Sequence, residues 1–293
     1  MIQNSMLSSQ NVTVKNQLGC MQVVEYAKDM SVHMLTARTE FFCSQMNVQK
    51  RQLLVDLNGN SVTVQAGAMQ WTAGNVEMSS GIKGAGDFLG KMVTSKMTGE
   101  SAAKPVYTGS GQLMLEPTYR HIILMDVGSW GGSVVLDDGL FLACESTLQQ
   151  KVVARSNLSS AVLGGEGLFN LSLNGQGIAA LESNVPMEEL IEVVLDNDTM
   201  KIDGNMAIAW SSSLQFTVEK SSRSLLGSAV SGEGLVNVYR GSGKIWMAPV
   251  IRGFAASGTA NPGENPEVAP TGSSSSKVLN KIDKLSGLLD IIS

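Results

Sequence analysis

GEGLVNVYRGSGKIWMAPV, residues 232–250, is the stretch on which the fold turns. Its four glycines, at 232, 234, 241 and 243, raise the question of a loop that cradles phosphate. A phosphate-binding loop of the G-x-x-x-x-G-K-[ST] type needs a first glycine and a terminal hydroxyl. Here Val238 stands where that glycine belongs, and Ile245 follows Gly243-Lys244. A dinucleotide fingerprint G-x-G-x-x-G must open a helix, so that the pyrophosphate meets the helix N-terminus. Gly232-x-Gly234 instead reaches Asn237 and continues as the alternating run LVNVY, the pattern of a strand. The glycines therefore read as turns framing strands, with Val236, Val238, Ile245 and Met247 directed inward.

The stretch has echoes. GEGLFNLSLNGQGIAAL (165–181) and the fainter GESAAKPVYTGSGQLML (99–115) align with it. Gly-Glu pairs begin at 99, 165 and 232 and Gly-x-Gly at 109, 175 and 241, with spacings of 66, 67, 66 and 66 residues. Upstream, LLVDLNGNSVTVQAGAMQW (53–71), SVVLDDGLFLACESTLQQKVV (133–153) and IEVVLDNDTMKIDGNMAIAW (191–210) each set two apolar runs around a turn. Asn58-Gly59, Asp138-Gly139 and Asp203-Gly204 are pairs suited to the positive φ of tight hairpins. A period of this length, with strand-like alternation inside it, predicts an all-β domain over 35–254. It divides into three related β-sandwich-like repeats, about 35–118, 119–184 and 185–254, in a pseudo-threefold arrangement. Residues 1–34 form an N-terminal extension whose strands pack on that core. Inside the domain the one helical candidate is AGDFLGKMVTSKMT (85–98), and the serine-rich segments around Ser159 and Ser222 occupy its place in the other copies.

After the domain the composition changes. Residues 255–276 are rich in Ala, Gly, Pro and Ser and read as a flexible linker. Residues 277–293 resume a pattern: Val278, Ile282, Leu285, Leu289 and Ile292 make the apolar stripe of an amphipathic helix. That helix is expected to engage a protein partner or another copy of the chain. Without aromatic residues it is a weak candidate for peripheral membrane contact.

Charge and chemistry exclude more than they name. A net charge of −5 with no run of Lys or Arg argues against a binder that neutralises nucleic-acid phosphates. Cys20, Cys43 and Cys144 are odd in number and lack C-x-x-C spacing, which suits neither a disulfide framework nor a zinc site. No secretory leader or long apolar run is evident, so a cytoplasmic protein without a transmembrane segment is expected. DNDTMKIDG (196–204) places Asp196 and Asp198 as a calcium loop would, but Met200 and Lys201 break the ligand pattern, and a hairpin turn is the better reading. His33 and His121 each sit beside apolar residues, without a Cys, Asp or Glu at a catalytic spacing. Trp71 and Trp210 fall near equivalent repeat positions and read as shared core packing. No catalytic residue, cofactor or metal ligand is assigned. The repeated glutamates Glu100, Glu166 and Glu233 are the ligand-binding candidates, since a threefold arrangement would bring three carboxylates toward one axis.

AGAMQWTAGNVEMSSG (66–81), TGES (98–101) and above all SGEGLVNVYRGSGKIWMAP (231–249) resemble the mitochondrial biogenesis family, also called altered inheritance of mitochondria, member twenty-four, in its bacterial branch. The elements that carry the resemblance are Gly67 to Met69, Gly74 to Met78 and Gly232 to Pro249. The first copy departs from the family pattern with AAKPVY, and the N-terminal extension, linker and tail lie outside it. The resemblance implies a fold similar to the tryptophan RNA-binding attenuation protein and carries over no catalytic residue. These readings together point to a non-enzymatic scaffold or assembly protein. The alternative is a small-ligand or cation-binding module at the pseudo-threefold axis, with RNA binding by analogy of fold third.

Overall fold

The computed structural model describes residues 5–80, 104–154, 169–204, 206–220 and 235–249. In chain order the strands are β1 (Val12–Leu18), β2 (Met21–Tyr26), β3 (Arg51–Asp56), β4 (Ser61–Val64), β5 (Met69–Ser79), β6 (Val106–Leu115), β7 (His121–Asp126) and β8 (Ser133–Leu136). Then come β9 (Phe141–Glu145), β10 (Gln149–Ala154), β11 (Phe169–Asn174), β12 (Ile178–Ser183), β13 (Ile191–Asp203), β14 (Ala207–Ser211), β15 (Gln215–Lys220) and β16 (Leu235–Met247). One helix, α1 (Ala37–Gln45), separates β2 from β3. The chain is all-β, as its alternating runs require, and every pairing is antiparallel.

Two sheets hold the strands. The first runs β1-β2-β3-β6-β4-β9-β12-β7, with β5 along β6; the second runs β10-β11-β8-β14-β16-β13, with β15 along β16. The first sheet curls until its end strands, β1 and β7, approach one another. Residues 119–184 serve both sheets, β7, β9 and β12 in the first and β8, β10 and β11 in the second. The sheets therefore do not divide at the repeat boundaries.

Burial on both faces explains the run Ile122-Ile123-Leu124-Met125, which lacks alternation. Ile122 and Leu124 pack inside the curled sheet with Val23, Val55, Val64 and Leu115. Ile123 and Met125 face the other way, toward Trp130, Val134, Leu173 and Trp246 between the sheets. A strand covered on both sides has no polar face to alternate with. Trp130 and Trp246 meet edge to face there, with ring centroids 5.0 Å apart. Trp210 packs with Tyr239 and Phe216 on the second sheet. Trp71 is half-buried against Leu54 and Met114, so these two tryptophans do not share a packing site.

Three turn assignments change. Gly59, Gly139 and Gly204 do hold positive φ (+86°, +75° and +67°). None of them closes a hairpin, because β3 and β4, β8 and β9, and β13 and β14 do not pair with each other. Each turn sends the chain on to a different neighbour. DNDTMKIDG is not a turn either: β13 runs through it to Asp203, with a bulge between Leu195 and Asp198 and Asn197 at φ +50°. Gly241-Ser-Gly243 lies inside the unbroken strand β16 rather than at a hairpin.

In the first copy the Gly-x-Gly pair lets β5 pass close along β6. Gly109, Gly175 and Gly241 adopt φ of +119°, +128° and +117°, a region that side chains rarely enter. A Cβ on Gly109 would lie 2.2 Å from the Asn75 carbonyl oxygen, and one on Gly111 2.2 Å from that of Ala73. The asparagines of the two later copies buttress backbone: Asn170 Nδ2 donates to Leu136 O and Asn237 Nδ2 to Gly204 O, each at 3.0 Å.

Candidate functional site

Glu25 on β2 and Arg51 on β3 stand directly opposite each other in the first sheet, and both are about 95% buried. Arg51 Nε and Nη2 reach Glu25 Oε2 at 2.8 and 2.7 Å. The rest of the guanidinium donates to Asn47 O and Oδ1, Gln49 O and Arg120 O. Glu25 Oε1 also accepts from Lys15 Nζ at 3.0 Å and from the Gln49 amide, its nitrogen turned inward, at 2.7 Å. A buried pair is tolerated only when its remaining lone pairs and protons are satisfied, and here they are. The pair also ties α1's exit (47–49) to the start of β7.

This cluster forms the charged end of a cavity of about 450 Å³ between the two end strands of the curled sheet, with Lys15, Asn16, His121, Trp130, Met187 and Trp246 among its lining residues. His121 is half-buried there, and burial, with the Arg51 charge second, pushes its pKa below the usual histidine value.

A second cavity, of about 230 Å³, opens beside α1. Its polar wall is Asp29, which accepts from Lys50 Nζ at 2.9 Å, the Ser31 amide at 3.0 Å and the Tyr119 hydroxyl. The Tyr119 bond is the main reason that the Asp29 carboxyl falls to about 2 and the Tyr119 hydroxyl rises to about 12. Lys50 also lies over the Tyr26 ring, 4.7 Å from its centroid. Met30, Val32, Phe41 and Val48 make the apolar wall.

Around that wall the segment 30–48 leaves its apolar side chains in water. Met30, Met34, Leu35 and Met46 are each about 80% exposed and Phe41 and Phe42 about 60%, while α1 buries no residue at all. Scattered apolar side chains are ordinary on a protein surface, but a continuous cluster marks a contact surface. His33 holds the turn before α1: its carbonyl accepts from the amides of Thr36 and Ala37, and its Nδ1 from the amide of Leu35.

Sequence reasoning missed this region. Glu25 and Arg51 are 26 residues apart with no motif around them, and only their register brings them together. The adjacent Phe41-Phe42 has no helical periodicity to announce α1. Conversely, Glu100, Glu166 and Glu233 lie outside the described residues, as do 85–98, Ser159, Ser222, the linker 255–276 and the tail 277–293. Among the described residues, no group of three or more His, Cys, Asp and Glu gathers as a metal site would, and no helix is long and apolar enough to cross a membrane.

Comparison with known proteins bears on the β-sheet domain from residue 45 onward. The family described as Mitochondrial biogenesis AIM24 matches residues 45–250. An uncharacterized protein of Streptococcus pyogenes serotype M6 is 33% identical over 202 residues, 66% of this chain and 79% of its own. A crystal structure of a Streptococcus pyogenes protein, a structural-genomics target, has a TM-score of 0.51 at 26% identity, covering 78% of this chain and 94% of its own.

Proposed function

The chain belongs to the mitochondrial biogenesis AIM24 family, and from that premise we propose that it is a non-enzymatic assembly protein of the cytoplasm, a β-sheet body that holds partner chains. The observation that carries this reading is the apolar surface of residues 30–48, where Met34 and Leu35 are more than 80% exposed beside Phe41 and Phe42. Water around such side chains costs about 25 cal/mol for each Å² that a partner would cover. Asp29, Lys50 and Tyr119 line the adjoining cavity and supply polar contacts at its rim, the composition expected of a protein–protein contact. The arrangement of three related units about a pseudo-threefold axis, similar to the tryptophan RNA-binding attenuation protein, belongs to the same proposal, with the junction between the third unit and the first left open among the described residues. It is supported by the common backbone bend at Gly109, Gly175 and Gly241. The tail 277–293 is a second contact element in this reading.

The test is cross-linking and quantitative mass spectrometry of proteins co-purified with the full chain and with its Phe41→Ser/Phe42→Ser variant. The proposal expects a stoichiometric partner whose cross-links fall on 30–48 and which the variant loses without change in its far-ultraviolet circular dichroism. A wild-type chain that carries no stoichiometric partner, or a variant that retains the same one, overturns it.

A further inference from the structure

The chain makes the same strand junction twice, and among the described residues the two strands suited to a third each have one edge unpaired. In the first junction Val62, Thr63 and Val64 of β4 lie opposite Glu145, Cys144 and Ala143 of β9. In the second, Val134, Val135 and Leu136 of β8 lie opposite Ser211, Trp210 and Ala209 of β14. The register is the same when counted from the glycines. Val62 faces Tyr107, two residues before Gly109, and Val134 faces Leu173, two before Gly175. On the other side, Cys144 faces Ala179, two after Gly177, and Trp210 faces Ile245, two after Gly243.

Two further strands occupy these places. Met200 of β13 faces Tyr239, two residues before Gly241, as Val62 and Val134 do in their own settings. Thr72 of β5 faces Leu113, two residues after Gly111, as Cys144 and Trp210 do. The bulges agree as well: Met69/Trp71 on β5 matches Ala207/Ala209 on β14. Yet β5 and β13 belong to different sheets, and among the described residues each pairs on one side only, with β6 and β16. The burial differs accordingly. Cys144 and Trp210 are buried within their junctions, whereas Thr72 and Lys201 are exposed.

We propose that β13 of one molecule pairs with β5 of a second copy, with Met200, Lys201 and Ile202 opposite Ala73, Thr72 and Trp71. This inference rests on the assembly reading above and adds a particular partner to it, the chain itself. The open edges continue an array of junctions already made inside the molecule, so a second copy presents a surface that this chain already matches. The contact uses two different edges and is head-to-tail, closing into a ring or extending as a chain according to its rotation. Asp198, Lys201 and Asp203 along β13 keep the edge from pairing with arbitrary strands.

The experiment uses the full chain. Two Cys43→Ser proteins, one carrying Thr72→Cys and the other Lys201→Cys, are mixed and treated with a short bismaleimide. The expected product is a covalent dimer containing one of each. In parallel, light scattering across a concentration series follows the wild type, Thr72→Lys and Thr72→Lys/Lys201→Glu. Like charges set opposite each other weaken self-association roughly fivefold, and the charge exchange restores it. A wild type that stays monomeric throughout overturns the proposal, as does Thr72→Lys associating unchanged. So does cross-linking confined within one molecule when both cysteines are placed in the same chain. If association fails here while the partner on 30–48 is retained, the assembly reading stands and only self-pairing is lost.

Discussion

Replacing Arg51 with methionine tests whether the buried pair is the support on which the α1 region stands. Methionine keeps much of the side chain's apolar volume and removes the guanidinium. What remains is a Glu25 carboxylate about 95% buried, held by Lys15, whose side chain is 55% exposed, and by the Gln49 amide. The carbonyls of Asn47, Gln49 and Arg120 lose their donor too. Breaking such a pair costs about 3–5 kcal/mol, because an uncompensated charge stays in the interior. With a urea dependence of about 3 kcal/mol per molar for a chain of this size, the unfolding midpoint falls by about 1–1.7 M. Lys15→Ala, which removes only the exposed partner, costs at most about 1 kcal/mol. The double variant Glu25→Leu/Arg51→Met removes the orphaned carboxylate and recovers part of the loss. The assay is urea unfolding of the full chain followed by tryptophan fluorescence. An Arg51→Met shift no larger than that of Lys15→Ala, or a double variant at the sum of its single losses, refutes the argument.

Gly109→Ala, at φ +119° with its new Cβ against the Asn75 carbonyl, costs about 3 kcal/mol or more, whereas Gly59→Ala, at φ +86° in open space, costs about 1–2 kcal/mol. Thermal unfolding of the two variants checks the order. His121 has a lowered folded pKa, so between that value and the unfolded 6.5 the unfolded chain binds more protons. Its stabilising share is complete above pH 6.5 and is lost as pH falls toward the folded value; His121→Gln flattens that part of a stability–pH curve. Burial, followed by the Glu145 charge, raises the Cys20 thiol to about 11, and burial raises Cys144 to about 12. At pH 8 about one part in a thousand or less of either is thiolate, so Ellman's reagent titrates Cys43 first and reaches the other two on unfolding.

Where apolar and polar residues alternate, the sequence announced the strand. Where the run is apolar throughout, or a contact is made by register alone, it did not. The alternation of Val62 and Val64 about Thr63 marks β4 as a strand, while the Gly-x-Gly read as a turn lies inside β6 and β16. The same reading misjudged Asn58-Gly59, because a dipeptide that accepts positive φ fixes a turn and not what the next strand pairs with. Strands β3 and β4 both lie along β6, at its two halves, an outcome decided by packing across the sheet. The candidate site was least legible. Its charged end depends on a cross-strand pair, and its apolar surface depends on side chains staying uncovered, which no local pattern records. Phe41 and Phe42 carry the largest apolar side chains of α1, but the helix has no buried face to place them in.

The resemblance of GSGK to a phosphate loop has the same origin as its real role. Phosphate loops use glycine so that backbone can approach a ligand and present its amides. Here the approaching group is another strand, and the backbone around the motif is already committed. Gly241 and Gly243 pair with Asp198 and Leu195 across the β13 bulge. Ser242 Oγ accepts from the Asn197 amide at 2.8 Å, and the Lys244 amide donates to Ser211 Oγ at 3.0 Å. Lys244 itself extends toward the Trp130 ring, 6.0 Å from its centroid. An anion would have to break these bonds and unzip β16 from its neighbours before finding a free donor. The glycines are spent on strand packing, and β13 and β14 lie along β16 so that, among the described residues, the β14 edge is paired with β8 and the β13 edge is left open.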